Sequence, residues 1–345
     1  MSGPRVGLLG ALLLLCLAGC VTSTKAPLSR FEFERPEMGL PFRVVLYAPD
    51  GPAATNAAEA AFARISDLNS KLSDYEAESE LSRLSRSSGS DRWVPLGTDL
   101  ATVLVTAEKV SRASEGAFDV TVGPLVQLWR RARRQRELPS PDAIATARAS
   151  TGWTNLVLRR AGSVWEAQLL RPGMRLDLGG IAKGYALDEA AGVLRARGVK
   201  RFLVSGGGDM VVGDPPPGLA GWRIEVGVFD RTNAPAPRFV SLRNEALATS
   251  GDTFQRAEIG GVRYSHIVDT RTGLGLTDHS LVTIIAADGM TADAWSKVVS
   301  VLGPERGLKL ARRFGAETLV LRQPTGPIEE LQSSGFARWL EPARP

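Results

Sequence analysis

Two hydrophobic spacings alternate along this chain and limit it to folds that contain both helices and strands. Apolar residues at 58–72 and 100–110 recur every three or four positions, which is the spacing of one face of a helix. Short apolar runs at 42–48, 202–205 and 281–286 have the length of buried strands. The alternation predicts a mixed α/β (α+β) fold with several long helices in a single compact domain.

The N-terminus has the pattern of an export signal. Arg5 precedes an apolar run at 6–17, which is shorter than the roughly 20 residues that a permanent membrane helix needs. The run ends in Leu17-Ala18-Gly19-Cys20, where small residues before the cysteine suit a signal peptidase and resemble the bacterial lipobox. An ordinary cleaved signal that happens to end in cysteine is the alternative.

The lipobox pattern predicts three regions. Residues 1–19 would be a signal peptide, residues 20–37 a lipid-modified Cys20 with a flexible tether, and residues 38–345 the folded domain. The lipid would hold the protein at a membrane without a spanning helix. We therefore expect an exported, membrane-anchored lipoprotein that faces the periplasm.

Charge and cysteine content exclude other classes of protein. The chain has 42 Lys and Arg against 37 Asp and Glu, and its basic residues are scattered among acids, so we expect no nucleic-acid partner. Both cysteines, Cys16 and Cys20, lie in the N-terminal pattern, so the mature chain would have no disulfide. The basic stretch at 130–136 is interpreted as a solvated helix face, with a lipid or partner contact as the alternative.

A glycine-rich segment at 177–186 is a candidate binding site. Asp177 ends a predicted strand, two glycines follow, and a helix begins near Lys183. Glycines let the backbone approach a phosphate, a helix N-terminus offers free N–H groups, and Lys183 adds a cation. The segment favours a pyrophosphate site, although the same glycines would suit an ordinary tight turn. A second glycine-rich turn, at 205–209, could bring more backbone close to a ligand.

A third candidate lies on a predicted helix that runs towards Leu302. Asp293, Ser296 and Lys297 have the i, i+3, i+4 spacing that places side chains on one side of a helix. The acid and the hydroxyl could bind a hard cation through oxygen. An exposed Asp–Lys pair would explain the same spacing without a metal.

These segments occur in order with several others, and together they resemble the ApbE family of FAD:protein FMN transferases. The others are Leu-Ser-Asp-Tyr at 72–75, Ser-Glu-Leu-Ser-Arg-Leu at 79–84, Gly-Ala-Phe-Asp-Val-Thr-Val-Gly-Pro-Leu at 116–125, Ala-Thr-Ser-Gly-Asp at 248–252, His-Ile-Val-Asp-Thr-Arg-Thr-Gly at 266–273 and Thr-Ala-Asp-Ala-Trp-Ser at 291–296. Each motif is ordinary alone, but their order along residues 38 to about 315 identifies the chain as a member of that family.

The resemblance implies an ApbE-type fold that holds FAD in a cleft and transfers FMN to a threonine hydroxyl of an acceptor protein, with release of AMP. His266 would accept the proton of that hydroxyl or orient it, unless it is a structural histidine. Asp293 would serve catalysis through magnesium. The implied flavin contacts are Met38, Tyr75, Ala117, Phe118, Asp119, Asp177, Lys183 and Ile267.

The resemblance also implies a magnesium site, and here the chain departs from the family. Its ligands would be the Gly180 backbone, the Asp293 carboxylate, Ser296 and position 297. The family usually has threonine at the last position, whereas Lys297 has no lone pair to offer Mg²⁺. Three outcomes stay open: Mg²⁺ binds through the other ligands, the ammonium takes over part of its charge, or activity is lost. The alternative functions are accordingly FAD hydrolysis, FAD binding alone, or an inactive lipid-anchored relative.

Overall fold

The computed structural model describes residues 27–227, 238–252, 256–324 and 326–341. The predicted signal peptide at 1–19 and Cys20 lie outside these residues, so their predictions stay predictions. Within the described ranges, no helix has both the length and the apolarity that crossing a membrane requires.

Strands and helices alternate along the described residues. The strands are β1 (Ser29–Glu37), β2 (Leu40–Ala48), β3 (Val94–Leu96), β4 (Leu156–Ala161), β5 (Val164–Leu169), β6 (Phe202–Gly206), β7 (Asp209–Val212), β8 (Trp222–Val226), β9 (Arg238–Leu242), β10 (Ala246–Gly251), β11 (Arg256–Ile259), β12 (Val262–Ser265), β13 (Val268–Asp269), β14 (Leu274–Gly275), β15 (Ser280–Ala286), β16 (Glu317–Arg322) and β17 (Glu329–Gln332). The helices are α1 (Gly51–Leu72), α2 (Glu80–Arg86), α3 (Thr98–Ala113), α4 (Gly123–Gln135), α5 (Pro141–Ala149), α6 (Ala182–Ala196) and α7 (Gly289–Arg313), with 3₁₀ turns at Trp153–Asn155 and Phe336–Trp339.

An eight-stranded antiparallel sheet, in the order β1-β2-β6-β7-β10-β15-β16-β17, is the centre of the fold. Successive side chains of a strand point to opposite faces, so Val44 and Leu46 pack under the helices α1, α6 and α7, whereas Val45 packs on the other face. That face is covered by the β8–β9 hairpin and the turn at Phe336–Trp339. Because both faces are buried at the centre of the sheet, central strands such as β15 are continuous apolar runs.

Two smaller units surround this core. The three-stranded sheet β3-β5-β4 packs against α2 and α3. Helices α4 and α5 pack together with β11 and β13 around Leu125, Trp129 and Val268. The whole is the mixed α/β single domain that the sequence predicts, and the helices predicted at 58–72, 100–110 and near residue 181 are confirmed as α1, α3 and α6.

The tether prediction is wrong for residues 29–37, because these nine residues form the edge strand β1. They pair with β2 along their whole length, from Ser29 opposite Ala48 to Glu37 opposite Leu40. Phe31 and Phe33 alternate with charged residues, which is the pattern of a strand with one solvated face. Edge strands often carry many charged residues, so the composition of β1 is similar to that of a linker.

Candidate functional site

A cavity of about 760 Å³ lies between the β1–β2 turn, the end of α1, α4, the start of α6 and the β12–β13 connection. Its volume is within the range of roughly 300–1,000 Å³ that small-molecule sites occupy. All eight side chains that the resemblance assigns to the flavin line it, and so do Gly180, His266 and Lys297. Asp293 and Ser296 do not line it, since both are fully buried behind its wall.

The start of α6 forms one wall of the cavity. The strand predicted before it is absent from the described sheets. This segment is held instead by an isolated bridge between Arg175 and Val122. Asp177 turns the chain by accepting a hydrogen bond from the Gly179 N–H at 2.8 Å. Helix α6 then begins without a cap from its N-cap side chain, but the Ala182 N–H donates to the Leu178 carbonyl and the Gly184 N–H donates to Asp293. The positive end of the helix dipole still faces the cavity.

Arg130 on α4 organises a second wall and is a site residue that the sequence analysis missed. Its guanidinium forms ion pairs with Asp74 and with Asp177, the latter at 2.9 Å, and lies 4.3 Å from the centre of the Tyr75 ring. Burial and the charge of Asp74 raise the pKa of Asp177, and Arg130 opposes that rise. Tyr75 is 75% exposed, so the guanidinium rather than core packing holds its ring.

The signal that could have found Arg130 is the periodicity of α4. Val122, Val126, Trp129, Arg130 and Arg133 line the cavity, and their spacing is that of one helix face. The remaining arginines of the stretch, Arg131, Arg134 and Arg136, are exposed as the interpretation of a solvated face requires.

Asp119 is a buried carboxylate in the cavity wall. One of its oxygens accepts hydrogen bonds from the Thr121 N–H at 2.8 Å and from the Thr121 hydroxyl at 2.7 Å. Burial raises the pKa of Asp119 to about 6 even though Thr121 stabilises the ionised form. The group can therefore accept hydrogen bonds from ligand hydroxyl or amide groups near neutral pH.

A lysine–aspartate cluster joins the cavity wall to the core behind it. It consists of Lys183 and Lys297, which line the cavity, and of the buried Asp209 and Asp293. Lys183 pairs with Asp209 and lies 3.5 Å from Asp293 Oδ1, the same oxygen that Lys297 contacts. Asp293 Oδ2 accepts the Gly184 N–H at 3.1 Å. Burial alone would raise the pKa of Asp293, but Lys183 and Lys297 hold that pKa below its usual range. Burial alone would lower the pKa of Lys183, but Asp209 and Asp293 raise that pKa above its usual range.

The predicted magnesium ligands are not arranged as a metal site. Both carboxylate oxygens of Asp293 already have partners, and the Ser296 hydroxyl donates to the Asp293 carbonyl at 2.6 Å and lies 2.9 Å from the Ser250 hydroxyl. No group of three or more His, Cys, Asp or Glu side chains that could hold a metal occurs in the part of the chain that the structure describes. The donor set therefore does not fit Mg²⁺ as it stands.

His266 lies at the mouth of the cavity, in the connection between β12 and β13. Its side chain is exposed, while the neighbouring Ile267 is 8% exposed and packs into the wall with Ala117. The connection thus anchors itself through Ile267 and presents His266 to whatever approaches the cavity from solvent. That is the position a base for an incoming hydroxyl requires.

Comparison with known proteins shows which class has this fold. A FAD:protein FMN transferase of Vibrio cholerae is 30% identical over 331 residues, which cover 95% of this chain and 96% of the relative. One of Salmonella typhimurium is 30% identical over 343 residues, with 96% and 93% covered. Among solved structures, the flavinyl transferase ApbE of Pseudomonas stutzeri superposes with a TM-score of 0.79 at 30% identity, covering 91% of this chain and 97% of that one.

The flavin transferase ApbE of Vibrio cholerae superposes with a TM-score of 0.80 at 28% identity, covering 91% of this chain and all of that one. The relatives found by sequence and the relatives found by structure are thus both named flavin transferases. Residues 38–320 match the model of the ApbE family, and the chain belongs to that family.

Proposed function

We propose that this protein is an FAD:protein FMN transferase. The observation that carries the proposal is the cavity, because it gathers every side chain assigned to the flavin from segments that are far apart in the sequence. Relatives of nearly the same length have this activity in their names. No feature of the cavity favours FAD hydrolysis or FAD binding alone as the physiological role.

The cavity offers each part of FAD a matching group. The positive dipole end of α6 and the Lys183 side chain suit the pyrophosphate. Asp119 and Asp177 can accept hydrogen bonds from hydroxyl or base donors. Met38 and Tyr75 can pack against planar rings through a thioether and an aromatic face.

The reaction is a displacement at phosphorus. A threonine hydroxyl of the acceptor protein attacks the phosphorus on the FMN side of the pyrophosphate, a new P–O bond forms, and the bond to the AMP oxygen breaks. AMP leaves with the electron pair, and His266 takes the hydroxyl proton. The protein contributes mainly alignment and charge neutralisation, which are the main requirements of phosphoryl transfer.

Magnesium, which the family resemblance implies, would have to displace an ammonium from Asp293 before it could bind there. Both lysines contact the same carboxylate oxygen, and the other oxygen holds the Gly184 N–H. A metal that stabilises the reaction would therefore have to come with the ligand rather than occupy a preformed site.

The experiment that tests this function is incubation of the protein with FAD and a domain bearing the acceptor threonine, followed by a denaturing gel and chromatography of the nucleotides. Transfer gives a fluorescent acceptor band and AMP, and an acceptor with valine in place of the threonine stays dark. AMP without a fluorescent band would show a hydrolase, and neither product would show a binding protein. Either of the last two results would overturn the proposal.

We further propose that the protein is an exported lipoprotein, attached to a membrane through Cys20 and facing the periplasm. Support comes from the Leu-Ala-Gly-Cys pattern at 17–20 and from the start of β1 at Ser29. Only residues 21–28 would then separate the lipid from the folded domain. The folded domain would be held close to the membrane, where a membrane-bound acceptor could reach it.

A further inference from the structure

We propose that Lys297 makes FAD binding independent of a divalent cation, because its ammonium occupies the place where a metal would neutralise the pyrophosphate. The inference rests on the proposed function for the identity of the ligand. It concerns this chain alone, since it follows from the residue at position 297 and from the contacts that this residue makes.

Two lysine side chains lie at the cavity, and their counter-charges lie behind it. Lys183 and Lys297 line the cavity, whereas Asp209 and Asp293 are 1% and 0% exposed. A ligand in the cavity therefore meets the two cations and not the two carboxylates. Both cations are also held in place, since each is bonded to a buried acid.

Lys297 lies on the part of α7 that would face the phosphates. It lies one helical turn after Asp293 on α7, and its stem passes so close to Gly180 that a Cβ there would be 3.3 Å from Lys297 Cγ. The glycine before α6 thus makes room for the lysine stem. The lysine stem and the start of α6 consequently lie side by side in the cavity wall, where the charge of the ammonium and the dipole of α6 both favour an anion.

The charge of the cluster explains why this residue matters. Two lysines and two aspartates sum to zero formal charge. With an uncharged residue at 297 the same cluster would carry a net negative charge and would repel a pyrophosphate unless a cation joined it. An ammonium supplies charge and donors but no octahedral geometry, so it replaces the metal in binding the ligand and not in aligning the reacting oxygens.

Titration of FAD into the full-length protein, in excess EDTA and in excess magnesium, tests the inference. The dissociation constant of the wild type should change by less than about twofold between the two conditions, because the described residues form no metal site around Asp293. Lys297→Thr should bind FAD about tenfold more weakly in EDTA, a change of about 1.4 kcal/mol, and magnesium should restore its affinity. Lys297→Met should be weakened as much, but magnesium should not restore it, because the thioether is a poor ligand for a hard cation.

Two controls make the result specific. Lys309→Thr removes an exposed lysine from the part of α7 that follows its break at Gly303, and it should leave the FAD affinity unchanged in both conditions. Manganese, used as a paramagnetic probe in the absence of FAD, should bind to Lys297→Thr and not to the wild type. Thermal unfolding of each variant shows whether it is folded, and Lys297→Met keeps the test valid if the threonine variant does not fold.

The inference is wrong if the wild type loses about tenfold in FAD affinity in EDTA, which is the result a metal-dependent site predicts, or if Lys297→Thr does not differ from it. Its failure is distinguishable from failure of the proposed function. A protein that transfers FMN but needs magnesium to bind FAD contradicts only the role of Lys297. A protein that binds FAD in EDTA but never flavinylates an acceptor contradicts only the transferase.

Discussion

At the scale of single residues, Arg130 illustrates how a charge on a polar helix becomes part of a binding site. The other arginines of α4 are exposed, but the guanidinium of Arg130 is shared by Asp74, Asp177 and the ring of Tyr75. Asp177 is only 9% exposed, so without Arg130 it would be a buried carboxylate with no ion-pair partner in the described structure. Arg130 therefore acts as a positioning residue for two proposed flavin contacts.

Arg130→Leu should weaken FAD binding by about tenfold and lower the free energy of unfolding by about 1–3 kcal/mol, because it leaves a nearly buried carboxylate uncompensated. The matched control is Arg131→Leu, which removes the adjacent exposed arginine and should change neither quantity measurably. Fluorescence titration with FAD and urea unfolding measure the two effects. Equal behaviour of the two variants would show that the Arg130 ion pairs contribute nothing to the site.

Asp119 should give the protein a characteristic pH dependence. Its pKa in the folded state is raised to about 6, so the folded protein binds a proton between about pH 4 and 6 that the unfolded chain releases. The stability that this group contributes is present below pH 4 and is lost as the pH rises through 6. Asp119→Asn keeps an oxygen acceptor for Thr121 and removes the titration.

Urea unfolding of the wild type and of Asp119→Asn at several pH values measures the effect. The advantage of the variant over the wild type should grow by about 2 kcal/mol from pH 4 to pH 7, since each unit of pKa shift corresponds to about 1.4 kcal/mol and a small part of the effect is already present at pH 4. Asp91→Asn, which changes an exposed aspartate, serves as the control. A difference that stays constant with pH would mean that Asp119 ionises as it does in the unfolded chain.

How much of the site could be predicted depends on whether a residue lies in a local motif. Asp119, Asp177, Lys183 and His266 lie in short ordered motifs, and the structure places each of them at the cavity. Arg130 lies outside the motifs, and its direction is set by how α4 packs on Tyr264 and Val268, which no local pattern encodes. The role of Ser296 could not be predicted either, because its hydroxyl bonds to Ser250 of a distant strand.

At the scale of elements, the contact between α6 and α7 sets the position of the lysine–aspartate cluster. The two helices approach so closely that a Cβ on Gly184 would lie 2.1 Å from the carbonyl oxygen of Gly289. The same glycine donates its N–H to Asp293, which joins the helices at the cluster. Glycine is required here by the close approach, since Gly184 has ordinary helical backbone geometry.

Gly184→Ala should therefore destabilise the protein by about 1–3 kcal/mol, because the added methyl group forces the two helices apart. FAD binding should weaken as well, since Asp293 and Lys297 move with α7. Gly192→Ala on the same helix provides the control, as nothing lies within 4 Å of its added Cβ, and it should stabilise the protein by about 0.5–1 kcal/mol. Thermal unfolding and FAD titration of both variants measure these effects. The explanation is wrong if both substitutions change the stability in the same direction.

The secondary-structure elements themselves were largely predictable, and the exceptions have physical causes. Helices α1 and α3 bury one stripe and so carry a clear periodicity. Strand β1 was mistaken for a tether because an edge strand pairs on one side only and keeps charged residues on its solvated face. The segment before α6 was mistaken for a strand because its apolar residues Leu176 and Leu178 serve the core without belonging to a sheet.

At the scale of the whole molecule, the cavity is made by the fold rather than by any one segment. Its walls come from the turn at Met38, from α4 and α6, and from Val301 of α7, so they meet only when the sheet and helices are complete. The lipid that we propose at Cys20 lies outside this assembly. Anchoring and ligand binding should accordingly be separable.

Cys20→Ser should move the protein from the membrane fraction to the soluble fraction of the periplasm without a change in FAD affinity. Cys16→Ser alters the other cysteine of the chain, which lies within the apolar run, and should leave the protein in the membrane fraction. Fractionation followed by FAD titration of the purified proteins measures both effects. Retention of Cys20→Ser in the membrane fraction would refute the lipid anchor.

The lysine–aspartate cluster, the contact between α6 and α7 and the cavity would all serve one reaction, in which FMN leaves FAD and becomes attached to a threonine. The most direct measurement is the intact mass of the acceptor domain, taken together with the amount of AMP released in the same reaction. The acceptor should gain the mass of one FMN less one water, the modified residue should be threonine, and one AMP should appear for each acceptor modified. AMP release from FAD while the mass of the acceptor stays unchanged would show that FMN is not transferred.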